Sequence, residues 1–335
     1  MIVLLLSAMA WASGVHIVRE GDTIESIADE LGIAELAPVL RGENGLAAGA
    51  QPVVGTVLEL PSVPGHVDQS AVVLALRGEG TRTSPNGLVE PLDLRQTLPA
   101  DSIACTDERS FATLRLASDG EAGHDDVNLM PETCVRIVAV ATRGGARRSV
   151  LEVQAGSVEV RGTDVPGGQV ALLSRAGVTT GDQGGFRLAM EDTGAARTEA
   201  IFGPVAVMGA GVEVAVESGQ GSRTIPGEAP SPPVDLLPAG LPIAPAEGAV
   251  LLRADFGWTP VSGALGYRLQ IASAPDFSDI VFASEIPQAT WEAEALMLPY
   301  RVSGHWWRIT SFDLTGFEGP PSDPRRFVLP QGIGR

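Results

Sequence analysis

Short runs in which apolar and polar residues alternate, each ended by glycine, are the feature that most limits the folds open to this 335-residue chain. Clear examples are CVRIVAV, which begins at Cys134, and SVLEVQAGSVEVRG, which begins at Ser149. Apolar side chains at every second position indicate β-strands with one buried face, and glycine supplies the turns between them. The chain has 40 Gly and 25 Pro residues, and long helical patterns are rare after residue 41. The sequence therefore predicts a mainly β protein made of many short strands.

Three shifts in composition predict a multidomain chain. Residues 14–62 carry the strongest helical pattern, residues 71–222 hold the glycine-punctuated strands, and residues 249–330 contain four of the five Trp residues. Between the last two regions lies a proline-rich stretch at 223–248, with seven prolines in IPGEAPSPPVDLLPAGLPIAPAEG. Such a composition predicts an extended, semi-rigid spacer.

The first residues, MIVLLLSAMAWASG, have the pattern of an export signal. An apolar run is followed by the small-x-small pattern of Ala10-Trp11-Ala12, so we predict a signal peptide at 1–12 that is cleaved after Ala12. The usual basic residues before the run are missing, and a buried first strand or a truncated gene start is the alternative. The run is too short for a transmembrane helix, which needs about 20 apolar residues. We expect an exported protein of the periplasm or cell envelope with no transmembrane segment.

The charge of the chain limits its partners. It carries 41 acidic and 23 basic residues, a formal net charge of −18. Nucleic-acid affinity comes mainly from Lys and Arg residues that neutralise phosphates, so an acidic surface of this kind repels a polyanion. We therefore expect no nucleic-acid partner and no attraction to anionic membranes, whereas a neutral glycan is compatible with this charge.

The two cysteines, Cys105 and Cys134, allow three interpretations. In an exported protein an even count predicts a disulfide, which would close a loop of about 30 residues and stabilise the fold by roughly 3.6 kcal/mol in the chain-entropy model. A pair of buried free thiols is the alternative. A redox or metal pair is disfavoured because no CxxC spacing occurs.

The stretch VREGDTIESIADELGI, at 18–33, predicts a capped amphipathic helix. Asp22 is a strong N-cap residue and Glu25, three positions on, would complete a capping box, so we expect the helix to begin right after Gly21. The predicted buried face of this helix consists of Ile24, Ile27, Ala28 and Leu31. Around the helix, HIVR predicts a short strand, LAPVLRGEN a second helix with Pro38 near its first turn, and GTVLELP a second strand.

This order of strand, helix, helix and strand, together with the GDT motif, resembles a LysM domain, a glycan-binding module. The residues that match the family pattern are Val18, Gly21, Asp22, Thr23, Ile24, Ile27, Ala28, Leu31, Asn44, Leu46, Gly55, Leu58, Leu60 and Pro61. The resemblance implies a small βααβ module at 14–62 with a shallow groove for N-acetylglucosamine units of peptidoglycan or chitin. Carried over by position, that groove would be lined by Gly21, Asp22, Thr23, Ile24, Val53, Val54 and Gly55. Helix capping alone is the competing role for Asp22 and Thr23.

The middle region resembles the FecR domain in the segments LRLASDG, LEVQAGSVEV and VTTGDQGGFRLAM. The stretch EAIFGPVAVMGAGVEVAVESGQG, at 199–221, is similar to the last strands of that family. The resemblance implies a β-rich FecR-like domain at 71–222 that lies outside the cytoplasmic membrane. The anti-sigma segment and membrane helix of the best-known members have no counterpart in this sequence, so we expect an envelope protein rather than transmembrane iron signalling.

The last region, 249–330, resembles a fibronectin type III-like sandwich, which implies an Ig-like core. Three sets of side chains would build that core: Tyr267 with Leu269 and Ile271, Trp307 with Ile309 and Ser311, and Trp258. We expect His305, which stands at the family's usual corner Tyr, to have a packing role. The region would act as a spacer or docking module, with adhesion as the alternative.

The sequence contains no HExxH, GxSxG, Walker or EF-hand pattern, and its four His residues lie in different regions. The best cluster of possible metal ligands is DGEAGHDD, with Asp119, Glu121, His124, Asp125 and Asp126. At a strand-to-strand turn such acidic residues are usually just solvated. We therefore expect no metal, no cofactor and no enzymatic activity.

These expectations combine into one functional hypothesis. The chain would be an exported, non-enzymatic envelope protein that binds peptidoglycan, or a related N-acetylglucosamine glycan, and presents β-rich modules to other envelope proteins. The alternative is a FecR-like regulatory protein that acts through a membrane partner. A third hypothesis, an enzyme acting on wall glycans, predicts turnover of labelled sacculi, and we expect none.

Overall fold

The computed structural model describes residues 15–30, 34–60, 67–68, 70–116, 124–143, 146–161, 168–182, 184–293, 296–299, 301 and 303–330. Within these ranges the chain is mainly β and forms several sheets, as the alternating pattern predicts. The expected signal peptide at 1–12 and the helix residue Leu31 lie outside the described residues. Neither α-helix in the described ranges approaches the length needed to cross a membrane, since each has seven residues.

The N-terminal unit, residues 15–60, contains two short strands and two short helices. Its elements are β1 (Val15–Ile17), α1 (Ile24–Glu30), a 3-10 helix (Ala34–Leu36), α2 (Ala37–Glu43) and β2 (Val57–Glu59). The two strands pair antiparallel, and Pro38 lies in the first turn of α2, as predicted. The small core of the unit is formed mainly by Val18, Ile24, Ile27, Ala28, Leu40, Leu58 and Leu60.

The middle unit, residues 67–235, contains nineteen strands in the described ranges. They are β3 (Val67–Asp68), β4 (Ala71–Arg77), β5 (Gly80–Thr83), β6 (Val89–Pro91), β7 (Thr97–Leu98), β8 (Ile103–Thr106), β9 (Phe111–Leu116), β10 (Asp125–Leu129), β11 (Cys134–Arg143), β12 (Ala146–Ala155), β13 (Ser157–Arg161), β14 (Gly168–Leu173), β15 (Val178–Gly181), β16 (Gly185–Met190), β17 (Ala196–Phe202), β18 (Val205–Gly209), β19 (Val212–Val216), β20 (Gln220–Thr224) and β21 (Val234–Asp235).

Two large sheets of the middle unit pack face to face. The nine-stranded sheet has the order β21-β20-β17-β16-β13-β10-β9-β4-β7, and the ten-stranded sheet has the order β19-β18-β15-β14-β12-β11-β8-β5-β6, with β3 added beside β11. The pairing is antiparallel except between β12 and β14. Alternate residues such as Leu114, Val158 and Phe186 from one sheet meet Ile137, Leu151 and Leu172 from the other in the main core. The alternation therefore specifies the inner faces, as expected.

The disulfide predicted from the cysteine count is present. Cys105 on β8 and Cys134 on β11 lie directly opposite each other in the ten-stranded sheet, with their Cα atoms 4.2 Å apart. It therefore joins two neighbouring strands that the sheet already pairs.

The C-terminal unit, residues 242–330, is built from eight strands in the described ranges. They are β22 (Pro242–Ala244), β23 (Ala249–Val250), β24 (Ala254–Trp258), β25 (Gly266–Ala272), β26 (Ile280–Ile286), β27 (Thr290–Ala293), β28 (His305–Phe312) and β29 (Arg325–Val328). A three-stranded sheet, β22-β24-β27, and a five-stranded sheet, β23-β29-β28-β25-β26, enclose one core. Trp258, Tyr267, Leu269, Ile271, Trp307 and Ile309 are buried in that core, as the strand patterns predict. His305 is also buried and stacks on Phe327, which agrees with the packing role expected for it.

The proline-rich stretch does not act as a spacer that holds the two larger units apart. Within it, β21 pairs with β20 of the middle unit and β22 pairs with β24 of the C-terminal unit. The stretch is extended, and the backbone groups of its two short strands pair with a sheet of the middle unit and a sheet of the C-terminal unit. The middle and C-terminal units are in direct contact, through side chains such as Glu159 and Arg308.

Each outer face of the middle sandwich is covered by a different unit. The N-terminal unit lies on the ten-stranded sheet, where Val15 and Ile17 pack against Ala139, Val150 and Ala171. The C-terminal unit lies on the nine-stranded sheet, where Asn128 donates a hydrogen bond to the carbonyl of Phe277 and Arg77 pairs with Asp279. The sequence predicts half-buried strands, and the structure shows that parts of their outer faces are buried as well.

Candidate functional site

Two turns of the N-terminal unit approach each other at Val18. The amide of Gly55 donates to the carbonyl of Val18 at 2.8 Å, and the amide of Val18 donates to the carbonyl of Thr56 at 2.9 Å. The first turn, residues 19–23, leads from Val18 into α1, and the second turn, residues 53–56, leads into β2. The structure therefore brings together the two loops that the sequence predicts to form a groove.

The start of α1 differs from the prediction. Thr23, and not Asp22, caps the helix, because its Oγ1 accepts a hydrogen bond from the amide of Ser26 at 3.0 Å. Ser26 returns the contact, since its Oγ accepts from the amide of Thr23 at 2.8 Å. The capping box is thus formed by Thr23 and Ser26, one position later than expected. The predicted partner, Glu25, instead pairs with Arg41 of α2 at 2.7 Å.

Asp22 is occupied by contacts that the sequence does not reveal. Its Oδ2 accepts from the backbone amide of Arg19 at 2.8 Å and lies 2.9 Å from Nε2 of the buried His16. The other ring nitrogen of His16 lies 3.0 Å from Nη1 of Arg148, on β12 of the middle unit. The turn at 19–23 is therefore tied through a histidine to the outer face of the ten-stranded sheet.

Exposure separates the seven predicted groove residues into three groups. Val53 has 65% of its surface exposed, Gly21 is exposed, and Asp22, Thr23, Val54 and Gly55 are partly exposed. The prediction for the side chain of Ile24 is wrong, because it is completely buried in the core of the unit. Apolar periodicity, which also placed this residue on the buried helix face, was the better guide.

Gly55 is partly covered by the middle unit. A Cβ atom added to this glycine would lie 2.9 Å from Sδ of Met208 on β18, and its φ of +85° favours glycine. The end of the second turn therefore contacts the ten-stranded sheet, while Val53 at its start faces outward.

Asn44 and Arg41 hold the loop that leads to the second turn. The side chain of Asn44 donates to the carbonyl of Glu59 and accepts from its amide, each at 2.7 Å, so it fastens the end of α2 to β2. Arg41 donates to the carbonyls of Ala47 and Ala50 within the lengthened loop. The LysM pattern includes this Asn, but its backbone clamp was not part of the sequence prediction.

The DGEAGHDD segment does not present a row of solvated carboxylates. Asp119 and Glu121 lie outside the described residues, and Asp125 and Asp126 are buried. Arg115 and Arg161 form ion pairs with Asp126 at 2.8 and 3.3 Å. In the part of the chain that the structure describes, no cluster of three or more His, Cys, Asp or Glu residues is arranged to hold a metal ion.

A scan against protein-family models matches none of them with this chain, and a search of curated proteins finds no relative. The comparisons therefore supply no family, substrate or partner. A functional assignment depends on the motifs and on the geometry of the two turns.

Proposed function

We propose that this chain is an exported, non-enzymatic cell-envelope protein that binds peptidoglycan, or a related N-acetylglucosamine glycan, through its N-terminal unit. In this proposal, 14–62 is a LysM module, 71–222 is a FecR-like domain and 249–330 is a fibronectin type III-like sandwich. The Cys105–Cys134 disulfide supports export, because such bonds persist in oxidising compartments.

One observation carries the proposal: the two turns that the LysM pattern assigns to the groove are adjacent and present an exposed apolar residue. Val53, at 65% exposure, stands on the second turn, and the partly exposed GDT motif stands on the first. The hydrogen bonds of Val18 to Gly55 and Thr56 fix the two turns relative to each other. A preformed site loses less entropy on binding than a flexible one.

The chemistry of the turns suits an N-acetylated sugar. The apolar side chains of Val53 and Val54 offer a surface for the acetyl methyl group and the apolar face of the ring. Backbone amides and carbonyls of the turns offer hydrogen bonds to the sugar amide and hydroxyl groups. No charge complementarity is required, which agrees with the acidic net charge of the chain.

Cosedimentation of the full chain with purified peptidoglycan sacculi tests the proposal. We expect Val53→Arg to weaken retention about tenfold, a loss of roughly 1.4 kcal/mol, because a long charged side chain replaces the apolar contact. The matched control is Val89→Arg on β6 of the middle unit, since Val89 is 61% exposed and far from both turns in the sequence. This control should be retained like the unchanged chain.

Two results would oppose the proposal. Retention no better than that of an unrelated acidic protein would remove glycan binding as the function. Equal retention of both valine variants would place any glycan contact outside the two turns. Crosslinking in intact cells that recovers a membrane protein, with no wall retention, would favour the regulatory alternative.

A further inference from the structure

A row of buried polar residues crosses the outer face of the nine-stranded sheet. Asn128 on β10 is opposite Glu159 on β13, Glu159 is opposite Arg187 on β16, and Arg187 is opposite Glu199 on β17. All four side chains are buried, although their neighbours in sequence already fill the core on the inner face. The cover is the C-terminal unit.

The C-terminal unit meets this row with charged groups of its own. Arg308 on β28 donates to Glu159 at 2.7 Å and to Gln270 on β25 at 2.7 Å. Glu318 follows β28 in a segment that we call the covering loop, residues 313–319, and its carboxylate lies 3.6 Å from Arg187. Charges from the two units therefore alternate across the contact.

The buried carboxylates do not all have good hydrogen bonds to the buried arginines. Three carboxylates, Glu159, Glu199 and Glu318, share the two deeply buried cations Arg187 and Arg308, with Arg268 at the edge of the contact. Glu159 is hydrogen-bonded to both cations.

Glu199 is the carboxylate left with the poorest pairing. Its Oε1 accepts only a long bond of 3.4 Å from the amide of Glu318, and its Oε2 lies 3.9 Å from Arg187 with no hydrogen bond. A buried ionised carboxylate without good hydrogen bonds is unfavourable, and a neutral carboxyl avoids most of that cost.

The groups around Glu199 come from every element that packs against it. Arg187 faces it from β16, Glu318 from the covering loop, and Arg197 from its own strand. On the remaining side, β20 places Gly221 opposite Glu199, and the missing side chain leaves room for Phe317 of the covering loop. One contact further away, Glu159 and Arg268 bind Arg187 and Glu318 respectively. Because no uncommitted cation among the described residues faces Glu199, burial has the largest effect on its charge state.

We propose that Glu199 is a proton-controlled lock between the middle and C-terminal units. When Glu199 carries a proton, the covering loop stays closed against the nine-stranded sheet. When Glu199 loses that proton, repulsion from Glu318 and the cost of a buried charge favour opening of the loop, which brings the carboxylate into water. No ligand or cofactor is needed.

The direction of the pH dependence follows from the environment of Glu199. Burial raises the pKa of Glu199 from an ordinary 4.5 to about 7; Arg187 opposes the rise and Glu318 adds to it. The closed state therefore holds the proton more tightly than the open state. The contribution of Glu199 to the stability of the closed state is fully present below pH 4.5, and this contribution is lost as pH rises through about 7.

Hydrogen exchange of the full chain at pH 5.5 and pH 8.0 tests the lock, with protection factors used to remove the intrinsic effect of pH. We expect protection in residues 313–322 to fall by about 30-fold over this interval, because the open carboxyl has an ordinary pKa and the closed one does not. Protection in residues 134–140 of the ten-stranded sheet should stay constant. Glu199→Gln, which imitates the protonated state, should keep the covering loop protected at both pH values.

Glu152→Gln is the matched control. Glu152 lies on β12 of the other sheet; burial opposes the shift, but the hydrogen bond from Arg136 keeps its pKa below the usual range, so it does not titrate between pH 5.5 and 8.0. This variant should keep the pH response of the unchanged chain. The lock is wrong if the unchanged chain shows no loss of loop protection, a result that does not depend on the folding of any variant. It is also wrong if Glu199→Gln loses protection with rising pH as the unchanged chain does.

Discussion

The two outer faces of the middle sandwich show two different ways to hold a neighbouring unit. On the ten-stranded sheet the contact is mostly apolar, with one polar contact between His16 and Arg148, and two turns of the N-terminal unit stay accessible beside it. On the nine-stranded sheet an apolar cluster that includes Phe111, Met130 and Phe277 lies beside buried charges that pair across the boundary. A binding loop needs an open surface, whereas a buried ionisable group is tolerated only when it is paired or kept neutral.

The difference has consequences for both units. Apolar contacts are non-directional, so they restrain the angle of the N-terminal unit weakly, and the contact of His16 with Arg148 adds a directional restraint. The charged contact accepts one arrangement, because a shift of either unit leaves a buried charge without its partner. We therefore expect mutations on the charged face to cost much more than comparable mutations on the apolar face.

The largest expected effect is that of Arg187→Met. This change leaves Glu159, Glu199 and Glu318 without their shared cation, and it should lower the free energy of unfolding by about 3–5 kcal/mol. Calorimetry of the full chain measures the loss.

Arg136→Met is the control on the opposite face. Arg136 also pairs with two acids, Asp101 and Glu152, but all three side chains are at least 35% exposed. Solvent screens such pairs, so the loss should be about 1 kcal/mol or less. Equal losses for the two arginines would show that the charged contact is not specially demanding.

A smaller effect is expected for removal of the disulfide by a double Cys105→Ser, Cys134→Ser change. The chain-entropy model gives a loss of roughly 3–4 kcal/mol in the free energy of unfolding, and the ten-stranded sheet should be destabilised. Melting followed by circular dichroism measures it. The pH response of the covering loop should be unchanged. A changed response would show that the two sheets are energetically coupled.

A third prediction concerns the apolar face. Val150→Ala removes methyl groups that pack near Val15 and Ile17, and it should cost about 1–2 kcal/mol. Limited proteolysis should show faster release of the N-terminal unit from the middle unit. If cleavage between the two units is unaffected, the apolar contact does not hold them together.

The smallest effect on stability is expected for Val53→Arg. The side chain is largely exposed, so the free energy of unfolding, followed by thermal melting, should stay within about 0.5 kcal/mol of that of the unchanged chain. Thr23 is a poorer probe, since its hydroxyl caps α1 and its loss would cost about 1 kcal/mol. A large destabilisation by Val53→Arg would mean that the second turn is structural.

The sequence predicts the mainly β class, the disulfide and the core residues well, because alternation and helical period report directly on inner faces. It also contains a signal for the apolar outer face. Strands of the ten-stranded sheet such as VALL at 170–173 and VAVM at 205–208 are apolar at successive positions, which is typical of strands covered on both sides.

The charged outer face could not be predicted in the same way. In SVEV, GFRLAM and ARTEAI the positions of Glu159, Arg187 and Glu199 alternate with core residues and look solvent-exposed. Only the three-dimensional register places them in one row beneath Arg308 and Glu318. The role of His16 was missed for the same reason, because its partner Arg148 is 132 positions away.

The most direct test of glycan binding at the two turns is hydrogen exchange of the full chain with and without an N-acetylglucosamine oligosaccharide. We expect slower exchange in residues 19–24 and 53–56, where the two turns meet, and no change in residues 313–322 of the charged contact. Exchange that is unchanged in both turns at saturating sugar, or slowed only at the charged contact, would contradict this expectation.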